Sequence, residues 1–237
     1  MTRRPRIALY QDYVHSTAGM HDALAAHGCN VVPIDAAQII TNGIDADALA
    51  MPGGADLYYC EKLNGAGNAT IRAFVEAGGG YLGICAGAYY ACRSLEWNSG
   101  EITGPRELAL IDAHAYGPLT QYMEGIDRSW CGAAPITTAY GETFRSGYIA
   151  GPVFQDIRGE ADVLAHYAEG PAVIARGRVI LSSPHIEYTG TRFLATRYSH
   201  KNPSAAHERH VGEILRIHDA AQREFFDFVL KRLINGA

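Results

Sequence analysis

Short apolar runs alternate with helical patterns in the N-terminal part of the sequence, and this alternation restricts the possible folds more than any other feature. Four runs have the length and composition of buried strands, at 6–10, 30–34, 48–54 and 81–85. Helices are predicted beside them, from a cap at Ser16 or Thr17 to Ala26, from a cap at Asn68 to Ala77, and from Ala86 onward. Strands that alternate with helices predict a mostly parallel sheet between two helical layers, which is a three-layer α/β sandwich.

The rest of the chain is less regular. Between about 97 and 151 the sequence is rich in Gly, Pro and Tyr, and we expect short strands and loops that lean over one end of the sheet. From Ala161, three short apolar runs separated by turns predict a meander that ends in "SSPHIEY". A single amphipathic helix is expected from about Ala205 to Ile234. A length of 237 residues suits one domain that spans 1–237.

Charge, hydropathy and cysteine usage exclude several classes of partner. The net charge of −5 gives no electrostatic reason to expect nucleic acid or an anionic membrane. The sequence has no apolar run of the roughly 18 residues that a membrane span needs. The five cysteines are odd in number and irregularly spaced, which indicates free thiols in a reducing cytoplasm.

The stretch "GGGYLGICAGAYYA" has the sequence form of a nucleophile elbow, in which a tight turn joins a strand to a helix. Gly83, Ala86 and Gly87 are small enough for such a turn, and Cys85 stands at its tip. Unpaired N–H groups at the start of the helix favour an anion such as a thiolate, and the N–H of Ala86 is placed to bind an oxyanion. The alternative is a buried strand with an inert cysteine, as most free cysteines are.

Two further motifs support the catalytic interpretation. "MPGGAD" follows the third strand, and the N–H of Gly54 can reach the same oxyanion, although an ordinary turn explains this motif equally well. His185 and Glu187 are expected at the end of the last meander strand, where residues two apart face the same way. Glu187 would then orient His185, and His185 would exchange a proton with Cys85.

Other polar residues near the motifs are candidates for substrate binding. Asp12 follows the first strand at the edge of the sheet where α/β folds bind ligands, and His15 lies close behind it. Gly53, Tyr89 and Tyr148 complete the predicted substrate contacts, although tyrosines of this kind can simply pack. His207 and His210 are one helical turn apart, but no acidic or cysteine partner stands at ligand spacing, so neither metal nor cofactor is predicted.

"PGG", "GICAGA" and "SPHIE", in this order, resemble the class I glutamine amidotransferase superfamily. "PGGADLYY", "GGGYLGICAGAYYA" and "YIAGPVF" are most similar to the stand-alone bacterial relatives of the N-terminal domain of eukaryotic biotin–protein ligases. The resemblance implies a flavodoxin-like sheet, Cys85 as nucleophile, His185 as base, Glu187 as its orienting group, and Gly54 and Ala86 as oxyanion donors. Glutamine-using members usually carry Gln four residues after the cysteine, where this sequence has Tyr89.

The sequence therefore predicts a cysteine hydrolase or amidotransferase-like enzyme that acts on a small amide through a thioester. Biotin transfer is not predicted, because the Gly/Arg-rich adenylate-binding loop of the ligases is missing. Amidotransfer would require a synthetase or acceptor chain as partner, and a homodimer is also possible. A hydrolase of the same superfamily with another substrate, and a binding module that has lost turnover, remain alternatives.

Overall fold

The computed structural model describes residues 3–12, 17–123, 131–195 and 205–236. Its strands are, in chain order, β1 (Arg6–Tyr10), β2 (Asn30–Ile34), β3 (Ala48–Met51), β4 (Gly80–Ile84), β5 (Cys92–Trp97), β6 (Ile102–Pro105), β7 (Ile111–Gly117), β8 (Cys131–Thr138), β9 (Thr143–Ile149), β10 (Val153–Gln155), β11 (Asp162–Tyr167), β12 (Gly170–Arg176) and β13 (Val179–Ser182). Its α-helices are α1 (Thr17–Ala26), α2 (Ala36–Asn42), α3 (Asp56–Leu63), α4 (Ala66–Glu76), α5 (Ala86–Ala91), α6 (Gly190–Ala195), α7 (Ala205–Arg216) and α8 (Asp219–Asn235). A 3₁₀ turn covers Thr120–Tyr122.

The main sheet has nine strands in the order β2-β1-β3-β4-β13-β12-β11-β8-β9. The first five strands are parallel to one another, in the strand order of a flavodoxin-like fold. From β13 onward each pairing is antiparallel. The predicted α/β fold is confirmed, and its parallel part places the carboxyl ends of β3, β4 and β13 side by side.

The central strands are continuous apolar runs because both of their faces are covered. Every residue of β3, β4 and β13 is buried. One apolar cluster packs on the side of α1 and α8, and a second packs on the side of α3, α4 and α5. No described helix has the length and hydropathy to span a membrane.

A second sheet of four strands, in the order β10-β7-β5-β6, comes from the part of the chain that lacks clear periodicity. Its first strand, β5, starts directly after α5, so the chain leaves the cysteine turn and enters this sheet at once. We expected only short strands and loops at 97–151. Instead, β8 and β9 extend the main sheet, and β5 to β7 form most of the second one.

Two predicted helix boundaries are wrong. Helix α4 begins at Ala66, and Asn68 lies inside it as a buried residue that accepts a hydrogen bond from the Tyr90 hydroxyl. The predicted C-terminal helix is two helices, α7 and α8, with a break at Ile217, whose side chain is 80% exposed. The break lets the buried carboxylate of Asp219 accept the Gly190 N–H at 2.6 Å, which anchors the start of α6.

The predicted α1 agrees with the structure in its Thr17 start and Ala26 end. Ser16 and His15, the other candidates in that region, lie outside the described residues.

Candidate active site

Cys85 joins β4 to α5 in a strained backbone conformation. Its φ of 50° and ψ of −103° place it where side-chain-bearing residues are rare. The turn is closed by small residues: a Cβ at Gly83 would lie 2.5 Å from the Gly87 carbonyl oxygen, and a Cβ at Gly87 would lie 2.2 Å from the Met51 carbonyl oxygen. The predicted strand–turn–helix geometry is present, and these glycines are required by contact with backbone rather than by flexibility.

The Cys85 thiol contacts β9 and lines a cavity. Its Sγ donates to the Ile149 carbonyl oxygen at 3.2 Å, and the residue is 7% exposed. The N–H groups at the first turn of α5, including that of Ala86, have no acceptor within the helix. They are therefore the groups nearest to the sulfur that can bind a negatively charged oxygen.

His185 and Glu187 form a buried pair beside the cysteine. The His185 Nδ1 lies 2.7 Å from the Glu187 Oε1, and their side chains are 2% and 0% exposed. Burial lowers the pKa of His185, but the Glu187 carboxylate and the Cys85 side chain raise it by more, to about 10. Among the described residues, His185 Nε2 and Glu187 Oε2 have no hydrogen-bond partner. His185 can therefore hold a proton at neutral pH and still has a free ring nitrogen.

The predicted reason for this pairing is wrong although the contact exists. Strand β13 ends at Ser182, so His185 and Glu187 lie beyond it in an irregular segment and do not share a strand face. The His185 N–H instead donates to the Gly147 carbonyl of β9 at 2.7 Å, which fixes this segment against the antiparallel part of the sheet.

Two buried tyrosines hold the backbone segments that flank the cysteine. The Tyr59 hydroxyl donates to the Pro52 carbonyl at 2.6 Å, two residues before Gly54. The Tyr81 hydroxyl donates to the Gly87 carbonyl at 2.9 Å, next to Ala86. Both candidate oxyanion donors thus follow or precede an anchored carbonyl group, which is the rigidity that a preorganised site requires.

A cavity of about 380 Å³ adjoins the sulfur. Its lining combines candidate site residues with apolar side chains from α3 and the second sheet, namely Gly54, Ala55, Asp56, Leu57, Cys85, Ala86, Tyr89, Leu95, Trp97, Ile102, Ile149 and Ala150. Sequence reasoning missed the wall from the second sheet, because the segment that forms it showed no periodicity that would assign it to this site.

The predicted substrate contacts divide into two groups. Tyr89 lines the cavity, and its hydroxyl donates to the Ala150 carbonyl at 3.1 Å. Gly53, Asp12 and Tyr148 are not among the described residues that line it. Gly53 is buried just before Gly54 in the turn that follows β3.

The structure gives Asp12 and Tyr148 structural partners instead. The Asp12 carboxylate accepts the Ala36 N–H at 2.8 Å at the start of α2. The Tyr148 hydroxyl donates to the Gly151 carbonyl at 2.7 Å and accepts the Leu119 N–H at 2.6 Å. For these two residues we withdraw the substrate-binding interpretation.

The histidines of α7 do not gather ligands around them. One ring nitrogen of His207 lies 3.0 Å from the Cys131 carbonyl, and His210 is exposed. Within the described ranges, no group of three or more His, Cys, Asp or Glu side chains is arranged to hold a metal ion.

Comparison with known proteins places this geometry in a family. A family model described as biotin-protein ligase, N terminal, matches residues 12–234. An uncharacterized protein of Chlamydia muridarum is 32% identical over 204 residues, covering 79% of this chain and 75% of that protein. The pyridoxal 5'-phosphate synthase subunit PdxT of Halobacterium salinarum is 28% identical over 204 residues, covering 84% of this chain and 94% of that subunit. The biotin–protein ligase of Schizosaccharomyces pombe is 35% identical over only 74 residues, which are 12% of its length.

Solved structures agree on the fold. A glutamine amidotransferase from Thermotoga maritima superposes with a TM-score of 0.63 over 99% of this chain and 100% of its own, at 13% identity. Another glutamine amidotransferase covers 76% of this chain and 90% of its own with a TM-score of 0.59 at 21% identity. The chain thus belongs to the biotin–protein ligase N-terminal family and has the fold of the class I glutamine amidotransferases.

Proposed function

We propose that this protein is an amidotransferase-like enzyme that cleaves a small amide through a thioester on Cys85. The fold and the similarity to PdxT subunits support an amidotransferase-like role. The observation that carries the finer proposal is the juxtaposition of a cysteine at a strained turn with a buried, protonated His185–Glu187 pair.

In the first step the Cys85 sulfur, as thiolate, attacks the amide carbonyl carbon and forms an S–C bond. The carbonyl electrons move to oxygen, and the N–H groups of Gly54 and Ala86 stabilise the resulting oxyanion. Loss of one such donor typically reduces the rate by about 100-fold or more.

The second step breaks the C–N bond. The imidazolium of His185 gives its proton to the leaving nitrogen, and ammonia or an amine departs from the thioester. Water, or an acceptor amine, then attacks the thioester while His185 takes a proton, and the Cys85 thiol is restored. Glu187 keeps its hydrogen bond to Nδ1 throughout and stabilises the charged form of the ring.

Alkylation of the thiols tests the proposal with controls inside the chain. Burial raises the pKa of Cys29, of Cys60 and of Cys92, so these thiols are unreactive references at neutral pH. We expect iodoacetamide to label Cys85 faster than all three in the wild type, and the advantage to disappear in His185→Ala. Peptide mass spectrometry gives the individual rates. Equal rates for Cys85 and the references in the wild type would refute an activated nucleophile.

One observation favours a second candidate, a binding module without turnover. The Cys85 Sγ donates to the Ile149 carbonyl, a contact that suits a neutral thiol. If ammonia or amine release from a panel of amides is the same for wild type and Cys85→Ser, the binding module is the better description.

The partner and compartment are part of the same proposal. Two of the proteins to which this chain is similar are named as parts of larger synthases, PdxT and a PurLQS structure from Thermotoga maritima. We propose that ammonia released at Cys85 passes to a partner synthase chain, and that no biotin is transferred. None of the five cysteines forms a disulfide, which supports a cytoplasmic location.

A further inference from the structure

The cavity beside Cys85 has walls that suit an apolar ligand. The apolar side chains come from three separate elements and one strand end, namely Leu57 of α3, Leu95 and Trp97 of β5, Ile102 of β6 and Ile149 of β9. The polar groups available to a ligand are the backbone of Gly54, Ala86 and Ile149. The Tyr89 hydroxyl already donates its proton to the Ala150 carbonyl, so it is not a donor for a ligand.

The charge in the cavity is already compensated. Asp56 is the only charged residue among the described residues that line it. The Nε of Arg106 lies 2.5 Å from the Asp56 Oδ2, and the two side chains are 7% and 12% exposed. A ligand ammonium group would have to compete with Arg106 for this carboxylate. A ligand carboxylate would meet no lysine, arginine or histidine of the described lining, and an unpaired buried charge is strongly unfavourable.

We propose that the cavity takes the acyl part of an uncharged amide with an apolar acyl group, such as an arylalkyl amide, in preference to a free amino acid amide. This inference rests on the proposed function, since it assigns the substrate class of the same site. A cavity of about 380 Å³ lies at the lower end of the range of small-molecule sites, about 300–1,000 Å³, which suits an acyl group of this size. The apolar portion would lie against Trp97 and Ile102, and the carbonyl oxygen would face Gly54 and Ala86.

Equilibrium binding to the Cys85→Ser protein tests this without requiring turnover. The probes are 4-phenylbutanamide, its 4-carboxyphenyl counterpart and L-glutamine, measured by isothermal titration calorimetry. We expect 4-phenylbutanamide to bind at least about tenfold more tightly than either charged probe, a preference equivalent to about 1.4 kcal/mol. No binding of 4-phenylbutanamide, or equal or tighter binding of either charged probe, overturns the inference.

A pair of matched variants locates the binding site. Leu57 lines the cavity and is 48% exposed, whereas Ile40 is 44% exposed on α2 and does not line it. Leu57→Lys should weaken 4-phenylbutanamide and strengthen its carboxylate counterpart, each by about tenfold, while Ile40→Lys should change neither. Because both positions are exposed on helices, the two variants should fold alike. An unchanged preference in Leu57→Lys would place the probe elsewhere and refute the assignment.

The failure of this inference is distinguishable from the failure of the proposed function. If 4-phenylbutanamide binds in a manner sensitive to Leu57 and the wild type releases no ammonia from it or any other amide, the cavity assignment holds and catalysis is refuted. If the wild type releases ammonia from glutamine in a Cys85-dependent reaction and prefers the charged probes, catalysis holds and the apolar substrate class is refuted.

Discussion

Replacement of Glu187 by glutamine isolates the charge of the buried pair. Glutamine has nearly the same shape and can still accept a hydrogen bond from the His185 Nδ1, now 2.7 Å from a carboxylate oxygen. Without the carboxylate charge, burial becomes the dominant influence and lowers the pKa of His185. His185 would then be neutral at neutral pH and would have no proton ready for the leaving nitrogen.

The expected loss of stability follows from the burial of both groups. A hydrogen bond to a charged group contributes about 1.5–3 kcal/mol, so Glu187→Gln should lower the free energy of unfolding by about 2 kcal/mol at neutral pH. The folded pKa of His185 lies above its ordinary value of 6.5, at about 10. The stabilisation is therefore complete below 6.5 and is lost as the pH rises through about 10.

Urea denaturation of both proteins, at several pH values between slightly acidic and strongly basic, measures this difference directly. We expect the gap between wild type and Glu187→Gln to be widest in the acidic half of the series and to close near pH 10. Glu160→Gln, at an exposed position, is the matched control and should stay within about 0.5 kcal/mol of the wild type. A gap that is absent, or that does not narrow with rising pH, would show that the pair is not charged in the folded protein.

Three further predictions concern the framework of the site. Gly87→Ala should lower the free energy of unfolding by more than about 2 kcal/mol, because its Cβ would lie 2.2 Å from the Met51 carbonyl oxygen; Gly147→Ala, where the nearest atoms lie at 3.7 Å, should be nearly neutral in the same denaturation assay. Tyr59→Phe should cost about 1–3 kcal/mol, since the buried Pro52 carbonyl loses its donor at 2.6 Å, and amide cleavage should slow if Gly54 moves; unchanged stability would mean that another donor replaces the hydroxyl. Asp219→Ala should cost about 2 kcal/mol because it leaves the Gly190 and Thr191 N–H groups without their acceptor, and hydrogen exchange should show faster opening of α6; unaltered exchange there would contradict this role.

The parts of the site that depend on local sequence were predictable. A tight turn between strand and helix requires small residues at fixed positions, so Gly83, Cys85 and Gly87 could be interpreted without knowledge of the rest of the chain. The strands around them were predictable for the same reason, since each is a short apolar run between turn residues.

The parts that depend on tertiary contacts were not predictable. Ile217 fits the helical spacing of its neighbours, but the partners of Asp219 lie on another element, and the resulting break leaves Ile217 exposed. Asn68 has the identity of a helix cap and instead serves as the buried partner of Tyr90. The cavity wall at Leu95 and Trp97 depends on how the second sheet packs against α5, which no local pattern encodes.

Strand β9 forms one edge of the main sheet, yet it supplies the acceptor for the Cys85 thiol and the anchor for His185. Cys85 and Ile149 are 64 residues apart in sequence, so this contact closes a long stretch of chain, and such contacts form slowly. A nascent or partly opened chain that has only its parallel strands in place would hold the sulfur at a turn with neither neighbour. Chemical competence would then arrive with the final closure of the molecule, and an incompletely folded copy would carry a dormant thiol.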